Sequence, residues 1–405
     1  MSDVQGNEIE STPRRTSRRF AISPYIAALG CTTFQLVIAL LQCGQGNFAE
    51  RYLSFCKWDC GWYAEIARAG YQSHLPPLAQ DHSSNVAFFP AYPVVSGLAS
   101  RLTGLNTTIT NVLVSTFCTF FAWYFFYRLL RRIGLSELGI VVTSFILISH
   151  PGSFFLLMGY SESIFMAALF AVLDFSLGNE TIKSACAAFL ATLTRVLGLP
   201  ISLFPVLIRL FGETERSSRS VRNSLFVPAA ACTALLLFFG YCQLRFGVWD
   251  LYFLTQKLGW HIVPDYLFPL HAVQELRHAR SWDRALWIST WLLIAGAAIL
   301  EVVSACFRQF SQQRGLRVSL YICGFLLCYL SSAGVAEKYF ISFVRYSLPV
   351  CAMVLLGLAS FWVVARKKFP RAMLAAGSIA IALAIASWVY MLSLTSKFLH
   401  DFWVG

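Results

Sequence analysis

Apolar residues run along this chain in long blocks, at about 22–43, 107–129, 138–157, 161–177, 225–245, 285–307, 318–335, 346–365 and 372–396, each followed by a short polar or basic stretch. Blocks of this length are what an α-helix needs to cross a hydrocarbon core of roughly 30 Å. The pattern therefore predicts an all-α polytopic membrane protein. A tenth apolar stretch, 182–211, is interrupted by Gly198-Leu199-Pro200, and the segment from Asn85 to Thr103 is apolar enough to mimic a span.

The basic residues decide how these stretches count. Arg14–Arg19, Arg128–Arg132, Lys183, Arg209–Arg222, Arg308–Arg317 and Arg366–Arg371 all fall on one side only if 182–211 is split near Gly198 and Asn85–Thr103 does not cross. Because positive loops stay in the cytoplasm, the expected architecture has about eleven spans, with an interfacial helix in the first outer loop. The N-terminus then lies inside and the C-terminus outside. Residues 1–21 read as a disordered basic cytoplasmic tail, and 22–405 as a single integral membrane domain with no internal repeat. The outer loops are 44–106, the Met158–Ser161 turn, 246–284, 336–345 and the end from Ser396, and every unusual polar motif falls on that face.

Composition agrees, with 57% hydrophobic and 13% charged residues. The net charge of +12 resides in those loop clusters rather than on a nucleic-acid-binding face. Of the twelve cysteines, ten lie in or beside apolar runs as small hydrophobes, so no disulfide framework is expected. Cys56 and Cys60 with His74 and His82 make a poor zinc set, because the histidines stand eight apart where structural sites pair them three to five apart. No phosphate-binding glycine loop and no Asp-x-Asp clamp occurs. The expectation is no metal and no cofactor, with any activated donor arriving as a lipid phosphate through the bilayer.

Four groups of residues carry candidate chemistry. Trp58-Asp59 with Trp62, Tyr63 and Glu65 places a carboxylate among aromatic rings just after the first span. Such rings stack on sugars, and the carboxylate can take a proton from an attacking hydroxyl; an interfacial aromatic belt is the plainer reading. Gly159-Tyr160-Ser161-Glu162-Ser163 starts a helix at an outer junction, with Ser161 as a candidate cap and Glu162 as an anion at membrane depth. In Glu337-Lys338 through Arg345-Tyr346-Ser347-Leu348-Pro349, Arg345 is suited to a phosphate oxygen or to snorkelling at the interface. Arg195 stands at the expected helix break and needs an anionic partner, a lipid phosphate or Glu162. The loop 246–284 adds Trp249, Asp250, Gln256, Trp260, His261, Asp265 and His271 as further polar ligands.

In order, Trp58-Asp59-x-x-Trp62-Tyr63-x-x-Ile66-Ala67-x-x-Gly70-Tyr71, Phe88-Phe89-Pro90-x-Tyr92-Pro93, Gly159–Ser163, Thr194-Arg195-x-x-Gly198, Arg345-Tyr346-x-Leu348-Pro349 and Phe402-Trp403-Val404 resemble the pattern of PIG-V-like mannosyltransferases. The resemblance implies a GT-C fold and use of a polyprenyl- or dolichyl-phosphate sugar, typically mannose, on the non-cytoplasmic face. In eukaryotic members the second mannose of the GPI anchor precursor is added. It further implies Asp59 as base, and Arg195 and Arg345 as donor-phosphate ligands. Trp58, Trp62, Tyr63, Tyr92, Glu162 and Tyr346 complete the expected substrate-binding set. Two departures occur: Val196-Leu197 where the family often has Pro-x, and Val248-Trp249 where an Asp-Pro is common. The Trp62-Tyr63 pair is closer to bacterial members.

The expected function is thus inverting transfer of mannose or a related hexose from a lipid phosphate to a hydroxyl of a glycolipid, glycan or protein. The location is the plasma membrane of a bacterium or the endoplasmic reticulum of a eukaryote. The rival reading is a transporter or lipid flippase whose path is lined by Asp59, Glu162 and the arginines. Transporters commonly show repeat symmetry and a midplane site, whereas these motifs crowd one face.

Overall fold

The computed structural model describes residues 22–72, 84–212, 218–307 and 310–404. The basic tail expected over 1–21 lies outside the described residues, as do His74 and His82.

The described residues are helical, with no strand among them. From the amino end come α1 (Pro24–Gln42), α2 (Phe48–Leu53), α3 (Asp59–Ala69), α4 (Ala91–Thr103) and α5 (Thr107–Ile133). Next are α6 (Glu137–Ile148), α7 (Glu162–Leu177), α8 (Thr181–Thr194), α9 (Gly198–Ser202) and α10 (Phe204–Phe211). Then α11 (Ser218–Ser224), α12 (Phe226–Phe246), α13 (Leu251–Leu258) and α14 (Ala272–His278) lead to the last four, α15 (Ser281–Ala305), α16 (Arg314–Val335), α17 (Phe343–Ala365) and α18 (Pro370–Leu399). Among them α1, α5, α12, α15, α16, α17 and α18 are long and apolar enough to cross a bilayer.

The core forms around α7, which is buried along almost its whole length between α5 and α8, while α8 packs on α12 and α17 packs on α15 and α16. By contrast α18 leaves Leu374, Ile379, Leu383 and Val389 exposed. An apolar helix with so little packing is stable only with lipid as its solvent.

Three local features differ from, or sharpen, what hydropathy alone implies. The apolar block 138–157 is not one helix: α6 stops at Ile148, and a 3-10 turn covers Ser153–Leu156. Pro151 cannot donate to a continuing helix, and a Cβ on Gly152 would lie 2.2 Å from the Val344 carbonyl oxygen, so only glycine fits where this turn passes α17. The block 182–211 does break, at Arg195, whose extended backbone (φ −157, ψ 142) ends α8 just ahead of Gly198. A Cβ on Gly198 would stand 2.4 Å from the Thr192 backbone nitrogen, so the glycine lets the chain double back. The third feature is Asn85–Thr103, which folds as a 3-10 turn (Asn85–Ala87) and then α4 of 13 residues. That length is about 20 Å, too short to span. α4 packs on α3 and α5.

Candidate active site

Three helix N-termini converge on the site. Asp59 is the first residue of α3, Glu162 the first of α7, and Arg345 the third of α17. The two carboxylates are favoured by the positive end of a helix dipole and the arginine is not, so Arg345 needs the acids beside it. Its Nη1 donates to Asp59 Oδ2 at 2.5 Å and its Nε to Glu162 Oε1 at 2.5 Å. Arg195 Nη1 donates to the same Glu162 oxygen at 2.9 Å. Pro349, one turn below, withholds the N–H that the Arg345 carbonyl would otherwise accept.

The result is a chain of four charges, Asp59–Arg345–Glu162–Arg195, summing to zero. Arg345 is 5% exposed and its guanidinium also faces the Tyr160 ring at 4.7 Å. Arg195 sits over Tyr346 at 5.1 Å. The two arginines differ in how fully they are used: Arg345 engages two carboxylates, whereas Arg195 engages one and retains further N–H groups. Asp59 Oδ1 accepts no hydrogen bond among the described residues, and neither does the buried Glu162 Oε2.

A cavity of about 190 Å³ opens beside this chain. Asp59, Tyr63, Arg195, Arg345 and Tyr346 line it, with Phe88, Tyr252, Gln256, Trp260 and Trp403. Tyr252 and Gln256 lie four apart on one face of α13, which brings part of the 246–284 loop over the first outer loop. Gln256 Nε2 donates to Ala87 O at 3.3 Å, and Trp260 Nε1 to Ser84 O at 3.3 Å. Burial pushes the Tyr252 phenol up to about 12, and the Tyr63 phenol is raised as well. Both are neutral donors at working pH, which leaves Asp59 as the carboxylate on the cavity wall.

The other expected residues do not line the cavity. Glu162, 2% exposed, bridges the arginines without reaching the cavity. Tyr92 is fully buried, its hydroxyl donating to Asn111 O at 2.7 Å. Trp62 packs on Phe88 and Trp260, and Trp58, 46% exposed, meets Trp403 edge-on at 5.5 Å. Ser161 makes no cap hydrogen bond to its helix; its hydroxyl accepts from Tyr63 at 2.9 Å. Of the remaining loop residues, Trp249 packs on Phe239, and Asp265 pairs with His271 at 2.5 Å away from the cavity.

Cys56 and Cys60, weighed from the sequence only as a poor zinc set, form a disulfide across the entry to α3, with Cα atoms 5.1 Å apart. That separation is within disulfide reach. Tyr252 was not legible as a site residue, although Tyr252-x-x-x-Gln256 is a helical spacing that pairs it with a residue that was.

No protein-family model matches the chain, and no curated protein sequence does. Solved structures that resemble it in fold include two of one enzyme. A crystal structure of ArnT from Cupriavidus metallidurans in the apo state superposes with a TM-score of 0.52 at 14% identity, covering 93% of this chain and 77% of ArnT. A second, of ArnT bound to undecaprenyl phosphate, gives 0.50 at 14% identity, covering 91% and 70%. At this identity the likeness is one of architecture: the chain is an all-α polytopic membrane protein with the GT-C-type fold.

Proposed function

We propose that this protein is a GT-C glycosyltransferase that moves mannose from a polyprenyl or dolichyl phosphate to an acceptor hydroxyl on the non-cytoplasmic face. The observation that carries the reading is the cavity wall itself, where an open carboxylate oxygen of Asp59 and the incompletely bonded Arg195 face one space. Asp59 Oδ1 takes the proton of the acceptor hydroxyl, whose oxygen attacks the anomeric carbon. The bond from that carbon to the phosphate oxygen breaks with inversion, and Arg195 holds the departing lipid phosphate. Arg345 keeps Asp59 and Glu162 in place, and Glu162 orients Arg195. The cavity aromatics Trp260, Trp403 and Phe88 supply faces for sugar rings.

Three lines support this reading. The motif order resembles PIG-V-like enzymes, the fold is shared with ArnT, and the ArnT structure holds undecaprenyl phosphate, a lipid of the proposed donor class. The Cys56–Cys60 disulfide favours an oxidising compartment for the first loop, in agreement with the positive-inside argument.

The test is purified protein in lipid nanodiscs with radiolabelled polyprenyl-phosphate mannose and a panel of glycolipid and glycan acceptors. The expected result is label on the acceptor with release of polyprenyl phosphate. In sealed proteoliposomes of the same protein, labelled lipid that reaches the opposite leaflet with its sugar–phosphate bond intact, with no label on the acceptor, would instead support transport and overturn the proposal.

A further inference from the structure

The segment before α3 is a covalent ring. The Cys56–Cys60 disulfide encloses Lys57, Trp58 and Asp59, and each of the three leaves the ring in its own direction. Lys57 Nζ donates to the Leu399 carbonyl and to the Asp401 carboxylate, both at 2.7 Å. Trp58 turns outward against Trp403. Asp59 turns inward to Arg345. To divide the side chains in this way the backbone takes φ +50 and ψ −115 at Trp58, a left-handed conformation that a bulky residue rarely adopts. An unconstrained chain has little reason to stay there, and closing it by a five-residue ring removes most of the alternatives.

The ring is seated against the second motif. The Gly159 N–H donates to Phe55 O at 3.1 Å, and Asn111 Nδ2 donates to Cys60 O at 3.2 Å. A Cβ on Gly159 would stand 2.4 Å from Cys60 Sγ, so the sulfur packs where only glycine leaves room. The C-terminal segment that Lys57 and Trp58 hold is fixed from its other side by Arg280, whose Nη1 donates to Trp403 O at 2.9 Å. Trp403 is part of the cavity wall.

We propose that the Cys56–Cys60 disulfide is a positioning device for the transfer reaction, holding Asp59 at the cavity and docking the Asp401–Val404 segment over it. This rests on the glycosyl-transfer reading. The two sulfurs touch no reacting atom; they act through Asp59 and Trp403. Loss of a disulfide that served stability alone would lower the melting temperature and leave turnover of the folded protein unchanged.

The test compares wild type with Cys56→Ser/Cys60→Ser in nanodiscs, each with and without dithiothreitol. The reductant takes the disulfide to two thiols and is itself oxidised to a cyclic disulfide. In the double variant kcat is expected to fall on the order of a hundredfold, as for a displaced catalytic group. KM for polyprenyl-phosphate mannose is expected to hold, because Arg195 lies outside the ring. Reduced wild type should approach the double variant, which should not respond to the reductant. Amide hydrogen exchange on the same samples should rise across 57–63 and 400–404. A lower melting temperature with wild-type kcat overturns the proposal, and so does unchanged exchange across 57–63. Should wild type transfer no sugar at all, the functional reading fails while the exchange pattern still decides whether the ring orders these segments.

Discussion

Two buried arginine–carboxylate clusters sit near opposite ends of α15–α17, and they use the same residue types differently. At the end remote from the cavity, Arg317 is fully buried and bonds both oxygens of Glu301, at 2.7 and 3.2 Å, and the carbonyls of Gln312 and Phe310, each at 2.7 Å. All three of its nitrogens are engaged. In the cavity cluster Arg195 bonds a single carboxylate oxygen, Asp59 has an open oxygen, and Glu162 Oε2 is buried without a partner. A saturated ion pair repays its own desolvation and little more. An unsaturated one beside a cavity retains bonding capacity for a ligand. Hydrogen-bond saturation, rather than charge or burial, separates the structural cluster from the candidate site.

That comparison is open to breaking from either side. The largest effect is expected at Asp59→Asn, which preserves shape and removes the base. Turnover should drop by roughly a hundred- to ten-thousand-fold in protein that still folds and inserts, and near-normal transfer would end the assignment. Next comes Arg317→Ala, which leaves Glu301 only the distant, half-exposed Arg314 and should cost about 3–5 kcal/mol of stability, read from a thermal or denaturant melt. The sugar-transfer rate per folded molecule should remain that of wild type; a specific loss of rate would erase the distinction between the clusters.

Arg195→Lys and Arg345→Lys sharpen the contrast within the site. Losing one charge-assisted hydrogen bond to phosphate is worth roughly 1.5–3 kcal/mol, so Arg195→Lys should raise KM for the lipid-phosphate donor by about ten- to a hundredfold. Arg345→Lys should act on kcat instead, because its planar fork spans Asp59 and Glu162 and a point charge cannot hold both. Kinetics in donor concentration that coincide for wild type and both variants would remove the arginines from the mechanism. The smallest effect is expected for Arg314→Gln. Its guanidinium is 48% exposed and 3.5 Å from Glu301, and such pairs contribute under about 1 kcal/mol, within reach of a careful melt.

Much of the fold was legible because bilayer insertion is a local criterion. A run of apolar residues either spans or does not, and basic loops fix the side on which it turns. The break in 182–211 could therefore be placed near Gly198 from charge parity, and Asn85–Thr103 kept out of the spans. The early end of α6 was missed although Pro151 is a local stop signal, and the reason the turn needs Gly152 lies in α17, nearly two hundred residues away in sequence. Arg195, Arg345, Asp59 and Glu162 could each be singled out, because an ionisable group in apolar surroundings needs a reason.

What the sequence by itself determined is the all-α membrane architecture and the roster of candidate polar residues, since hydropathy and charge act residue by residue. Only the tertiary structure decided how that roster pairs. Asp59 and Glu162 come from separate helix starts and meet through Arg345, and Arg195, at the end of α8, joins through Glu162, with 286, 183 and 33 residues between the partners of the three links. The Cys56–Cys60 bond likewise depends on a turn that sets Trp58 at positive φ against Gly159 and Trp403. Whether an arginine is saturated depends on which acceptors packing brings within 3 Å of it, and that distance is a property of the folded chain.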